Sequence, residues 1–199
     1  MANKTTVGLA LLLVTWFIAS AAPAQQAPRH AAGGRTSPAK VGAVMALLAT
    51  FEDAGILPPE NSPNANRLIK ALIQFQSAFM TSGHPAIRHW LHEAFTARFG
   101  EEAPSALESF RAGGWTSQSL EAIVDYAASA PVWNAPDVAE GFRAFNVGRG
   151  DFDLLARTFT DARAAFSARG QDVHEVYAAR RKTMPGAKKA PRDERPGSL

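Results

Sequence analysis

Three of the chain's five histidines fall within nine residues, in the run His84-Pro85-Ala86-Ile87-Arg88-His89-Trp90-Leu91-His92-Glu93. Imidazoles and carboxylates are the side chains that hold divalent metals and move protons near neutral pH. On a helix turning about 100° per residue, with Ile87 at zero, His92 falls near ~140° and His89 near ~200°. Ile87, Trp90, Leu91 and Ala94 gather on the other side, so the two histidines face away from the buried stripe together. Residues three apart are neighbours on a helix surface, and Glu93, four after His89, can orient its ring or join it as a ligand. The metal ligands expected from this pattern are His89, His92 and Glu93, with a divalent metal as the implied ion. The spacing is not His-Glu-x-x-His or His-x-x-Glu-His, and the Glu-x-x-His pairs of di-iron bundles are missing. Two imidazoles on one helix bind weakly unless a second element closes the site. His174-Glu175 is the other group of this type in the helical region.

Glu121 and Asp125 are four apart on one helix. Paired carboxylates carry acid–base chemistry in glycoside hydrolysis, but on an exposed face they amount to a mildly repulsive pair. The pattern predicts the exposed case. Arg149-Gly150-Asp151 spells an adhesion tripeptide; its physical reading is a turn at Gly148 and Gly150 with Asp151 capping the helix that follows. No nucleophile elbow, phosphate-binding glycine loop or dinucleotide fingerprint is present. With no cysteine in the chain, thiolate catalysis, cysteine-ligated metal and disulfides are excluded. No residue is therefore assigned a catalytic or organic-cofactor role.

The elements that must position these residues read as helices. Ser37-Pro38 and Ser62-Pro63 are start signals, a hydroxyl N-cap followed by proline in the first turn. Val41, Val44, Leu48 and Phe51 follow the first, with Gly55 as the stop. After the second, Leu68, Leu72, Phe75 and Phe79 form a stripe flanked by Ile69, Ile73 and Met80. That wide apolar face predicts the central helix of the domain. Further helices are expected from Pro85 to before Gly100, over Pro104–Ala112, over Ser117–Ala128, from Pro136, from Asp151 towards Gly170, and around Val173, Val176 and Tyr177. Phe152, Leu155, Phe159, Ala162 and Phe166 make a clear seam in the seventh. No stretch alternates as a strand would. The expectation is an all-α fold, an irregular bundle of seven or eight helices around one core.

The ends differ from this body. Lys4 precedes the uncharged stretch Val7–Ala22, and Ala22-Pro23-Ala24 is a small-x-small cleavage pattern, so residues 1–24 read as a secretory signal peptide. Sixteen uncharged residues fall short of the roughly 20 that span a bilayer. Residues 25–36 read as a flexible leader, 37–182 as the helical domain and 183–199 as a disordered basic tail. Arg180, Arg181, Lys182, Lys188, Lys189, Arg192 and Arg195 face only Asp193 and Glu194 from Arg180 onwards. Thr36–Ala179, by contrast, holds 11 basic and 16 acidic residues. The high isoelectric point therefore belongs to the tail, which argues against nucleic acid as a partner of the fold. Taken together, the sequence predicts a periplasmic or secreted helical binding protein of the cell envelope. Its partner would be an envelope protein or an anionic envelope component. The alternatives are a metal-binding protein or metal-dependent enzyme at His89, His92 and Glu93, and a carrier of a small apolar ligand between helices.

Overall fold

A computed structural model of the chain describes residues 37–58, 62–81 and 84–186. The predicted signal peptide and leader, and the tail beyond residue 186, lie outside the described residues. Among those described, eight α-helices run in order: α1 Pro38–Ala54, α2 Pro63–Thr81, α3 Pro85–Phe99, α4 Ala103–Gly113, α5 Ser117–Ser129, α6 Pro136–Arg143, α7 Arg149–Ser167 and α8 Val173–Thr183. Short 3-10 turns at Gly100–Glu102 and Val132–Asn134 join α3 to α4 and α5 to α6. The fold is an all-α bundle.

The start signals act as their chemistry requires. Ser37 Oγ accepts from the Lys40 amide at 3.3 Å, and Ser62 Oγ accepts from the Ala65 amide at 3.1 Å. Each bond satisfies one orphan donor of a helix N-terminus. Gly55 closes α1 in the left-handed conformation, at φ 74°. Thr116 and Ser119 build a reciprocal capping box for α5, with both bonds at 2.9 Å. Asp151 caps from inside its helix. α7 starts at Arg149, and Asp151 reaches back to accept from the Gly148 amide at 2.9 Å while its other oxygen accepts from Arg67 Nε at 2.8 Å. Both carboxylate oxygens of the adhesion-like tripeptide are thus engaged.

α1 is buried all round, and α2, the helix whose apolar face predicted a central place, lies against α1, α3, α6 and α7. Every residue from Gly42 to Phe51 is buried, and α1 lies against α2, α4, α7 and α8. The cause is compositional: no charged residue stands between Lys40 and Glu52, so α1 has no side to offer water. α2 keeps Arg67, Lys70 and Ser77 exposed and buries Leu68, Leu72, Phe75 and Phe79. The aromatic rings form a continuous cluster. Phe75 meets Phe142 at 5.3 Å and Phe152 at 5.4 Å, and Phe79 meets Trp115 edge-on at 6.1 Å. Edge-to-face contacts of this sort add about 1 kcal/mol each beyond the area they bury. Trp115, 1 % exposed, joins α2 and α8 through three bonds: Nε1 donates to the Leu72 carbonyl at 2.9 Å, its amide donates to Gln76 Oε1 at 3.3 Å, and its carbonyl accepts from Tyr177 Oη at 2.6 Å.

Around α3 a second group assembles: α4, α5 and α6 all lie against it. The two groups touch where α1 meets α4, where α2 meets α3 and α6, and at the junction where α5 touches α7 and α8. That junction carries the densest polar chemistry among the described residues.

Candidate functional site

The histidine face of α3 is where the sequence placed it. Ile87, Trp90, Leu91 and Ala94 are buried, and His89, His92 and Glu93 are exposed. His89 Nε2 approaches Glu93 Oε1 at 3.4 Å, with side chains 73 % and 45 % exposed. The other Glu93 oxygen accepts from Tyr126 Oη on α5 at 2.9 Å. Burial, and then the bond to this carboxylate, hold the Tyr126 phenol above its ordinary value. Trp90 lies edge-on to Tyr126 at 5.4 Å and donates from Nε1 to the Ala130 carbonyl at 3.1 Å. Beside this pair a shallow cleft of about 200 Å³ opens between α3 and the start of α6. Its floor is Ala86, Trp90, Ala135, Pro136 and Val138, and its rim is His89, Glu93 and Asp137. Among the described residues no three His, Asp or Glu side chains are grouped so as to hold a metal ion.

His174 takes part in a different arrangement. Its Nε2 lies 3.2 Å from Glu121 Oε2, and its Nδ1 lies 2.9 Å from Ser117 Oγ. Glu121 is the hub. Arg98 on α3 donates to Oε2 from Nε at 3.1 Å and from Nη2 at 2.7 Å, and Arg163 on α7 donates to Oε1 at 2.9 Å. Arg163 also reaches Asp125 at 3.2 Å. One carboxylate, 10 % exposed, therefore ties α3, α5, α7 and α8 together. Burial by itself would raise the Glu121 pKa. Arg163, His174 and Arg98 outweigh it and hold the carboxyl below its ordinary value.

The exposed, unassisted Glu121–Asp125 pair expected from the sequence is corrected here. Asp125 is exposed, but Glu121 is desolvated and surrounded by cations. Arg98, Arg163 and Ser117 were missed altogether. The available signal was the spacing Ser117, Glu121, Val124, a second stripe at intervals of four and three that α5 buries beside Leu120 and Ile123. A stripe counted on apolar letters alone passes over it.

Chemically the cluster joins a Ser117–His174 hydrogen bond to an imidazole–carboxylate contact, with two arginines on the same carboxylate. Acyl-transfer chemistry needs the hydroxyl open to a substrate. Ser117, at the first turn of α5, is 2 % exposed. The arrangement therefore serves as an interhelical clamp.

A second cleft, about 260 Å³, opens between α3, α4 and the start of α5. Phe95, Phe99 and Phe110 form its apolar wall, and Glu102, Ser105, Ser109 and Gln118 part of its polar rim. This is just under the roughly 300–1,000 Å³ of small-molecule pockets.

The chain matches no family model, no curated protein and no solved structure. Its function has to be read from the geometry above. No helix among the described residues is long and apolar enough to cross a membrane.

Proposed function

We propose that this chain is a binding protein of the cell envelope, exported by its signal peptide, that works by contact and not by catalysis. The observation that carries the reading is the α3–α6 cleft. Its floor joins an indole face to proline and small apolar side chains, and its rim offers an imidazole and two carboxylates. An apolar centre with a polar rim is the usual anatomy of a recognition surface. The buried polar chemistry around Glu121, by contrast, is spent on holding helices together.

The test has two parts. Cells expressing the full chain are fractionated, and a photo-crosslinking residue is placed at Asp137 or, as a control, at Arg111, exposed on α4. The reading expects processed protein in the envelope fraction and a discrete adduct from position 137 that position 111 does not give. Unprocessed protein in the cytosol, or identical adduct patterns from both positions, overturns it.

A divalent metal at His89, His92 and Glu93 is the second reading, favoured by the 3.4 Å approach of His89 to Glu93. Calorimetry with zinc, copper and nickel decides it: binding tighter than millimolar establishes the site, and its absence ends it. A carrier role would use the 260 Å³ cleft beside Phe95 and Phe110.

A further inference from the structure

Charge is divided unevenly between the two groups of helices. Residues 84–143, which hold α3 to α6, carry four basic residues, Arg88, Arg98, Arg111 and Arg143, against eight acidic ones. The other described residues carry 10 basic and seven acidic. The α3–α6 cleft lies in the acidic group, and its edge has the same sign. Glu93 and Asp137 line it, and no lysine or arginine does. Arg88 and His92 also stand on α3, but each falls about 100° or more round the helix from Glu93, outside the cleft.

Neither carboxylate is used up inside the molecule. Asp137, in the first turn of α6, makes no hydrogen bond or ion pair with another described residue. Glu93 accepts from Tyr126 Oη at 2.9 Å with one oxygen and meets His89 at 3.4 Å with the other. A carboxylate offers about four lone-pair sites, so two contacts leave it able to accept more. The phenol is uncharged, so it fixes the position of Glu93 without cancelling its charge. Arg98, Arg163 and Arg180, by contrast, are each committed to a carboxylate elsewhere in the fold.

Size narrows what can enter. About 200 Å³ is below the roughly 300–1,000 Å³ of small-molecule pockets, which fits one projecting side chain better than a whole free ligand. An apolar floor under an anionic edge suits a long cationic side chain, whose aliphatic stem lies on apolar surface while its charged head stays at the wet rim. A leucine would leave the two carboxylates unanswered, and a glutamate would be repelled by them.

We infer that the cleft receives a lysine or arginine side chain projecting from a basic segment of another protein, its stem on Ala86, Ala135 and Pro136 and its head at the carboxylates of Glu93 and Asp137. The inference rests on the cleft being a contact surface and adds the chemistry of what touches it.

The test immobilises the full chain in the form the cell leaves it. A pool of peptides is passed over it, with random flanks around one fixed central residue: lysine, arginine, norleucine, glutamine or glutamate. Norleucine keeps the stem and lacks the charge. Lysine and arginine peptides are expected to be retained about ten-fold over glutamate and about three-fold over norleucine. Glu93→Gln together with Asp137→Asn is expected to abolish the preference for lysine over norleucine. Glu101→Gln together with Glu108→Gln removes as much charge from exposed positions outside the cleft, and is expected to leave that preference in place. Ala86→Phe fills the floor without touching a charge, and is expected to end retention of lysine and norleucine peptides alike. Circular dichroism first confirms that this variant folds; should it not, Ala135→Leu replaces it. Equal retention of all five pools, or of none, overturns the inference. So does an equal loss from the Glu101 and Glu108 pair, which would mark unspecific attraction. A dimer in light scattering that the Glu93 and Asp137 pair dissociates overturns it in favour of a second copy of this chain. Lysine and norleucine retained alike, and both lost in Ala86→Phe, overturns the cationic occupant but leaves the cleft a recognition surface, so the two readings fail separately.

Discussion

Glu93 and Glu121 are two carboxylates with histidine beside them, and their fates are opposite. Glu93 stands in the part of the sequence richest in metal-binding letters, yet its side chain is 45 % exposed and its contacts are one imidazole and one phenol. Glu121 has only Asp125 as a charged neighbour on its own helix, yet it is 10 % exposed and meets two arginines and a histidine from three other helices. Crowding along the chain concentrates chemistry on one helix face. Convergence of helices concentrates it in space, and only the second removes water. Desolvation is what makes a charged contact worth several kcal/mol or none.

The widest break in the comparison comes from removing each carboxylate. Glu121→Ala leaves Arg98, Arg163 and His174 facing one another without an anion. It is expected to cost about 3 kcal/mol in urea unfolding. Glu121→Gln keeps part of the hydrogen bonding and should cost less. A loss below about 0.5 kcal/mol for the alanine variant would mean that the clamp is solvated in solution and that the two carboxylates do not differ. Arg163→Ala is expected to cost about 1 kcal/mol, because its side chain is 37 % exposed and solvent screens part of what it gives.

Acid sharpens the same contrast. The Glu121 pKa is lowered in the folded state, so its contribution is fully present above the ordinary carboxylate value of 4.5 and is lost as pH falls through the lowered value. Stability measured from pH 6 down to about 2.5 should fall less steeply in Glu121→Gln than in the parent chain. Parallel curves would remove Glu121 from the acid response. At the alkaline end, burial pushes the Tyr177 phenol up to about 12, although Arg181 pulls it down. The folded state keeps the proton that the unfolded state loses, so stability is intact below about pH 10 and is lost as pH rises towards 12. Tyr177→Phe should flatten that loss, and should cost about 1 kcal/mol at neutral pH by leaving the Trp115 carbonyl unpaired.

Much of the scaffold was legible in the sequence, because helix ends are local events. Ser37-Pro38, Ser62-Pro63, Gly55 and the glycine between α4 and α5 mark boundaries through backbone chemistry that needs no distant partner. The seam of α7 was legible for the same reason: Phe152, Leu155, Phe159, Ala162 and Phe166 are all buried. The burial of α1 on every side was missed because a stripe search finds one face and does not ask whether the others are also apolar. The clamp was missed because its members are 23, 42 and 53 residues from Glu121 along the chain. The only local sign was Glu121 lying in line with Ser117 and Val124. No pairwise spacing could have joined it to Arg98, Arg163 and His174.

The smallest expected effect lies on the α3 face and tests the exposed side of the comparison. His89 and Glu93 form an i,i+4 pair at 3.4 Å in which both side chains are well hydrated. A double-mutant cycle with His89→Ala and Glu93→Ala should give a coupling of about 0.3 kcal/mol, falling further in salt. Glu93→Gln has a more specific consequence. It removes the negative charge from beside the Tyr126 phenol but leaves the phenol as buried as before. The Tyr126 pKa should therefore move down towards its ordinary value of 10 without reaching it, because the burial that also raises it is unchanged. Ultraviolet titration of tyrosinate absorbance reads this directly, against a Tyr126→Phe chain to assign the transition. A shift together with a stability loss under about 0.5 kcal/mol would place Glu93 on a wet recognition rim. A loss comparable to that of Glu121→Ala would show that the α3 face also holds helices together, and the distinction between the two carboxylates would fall.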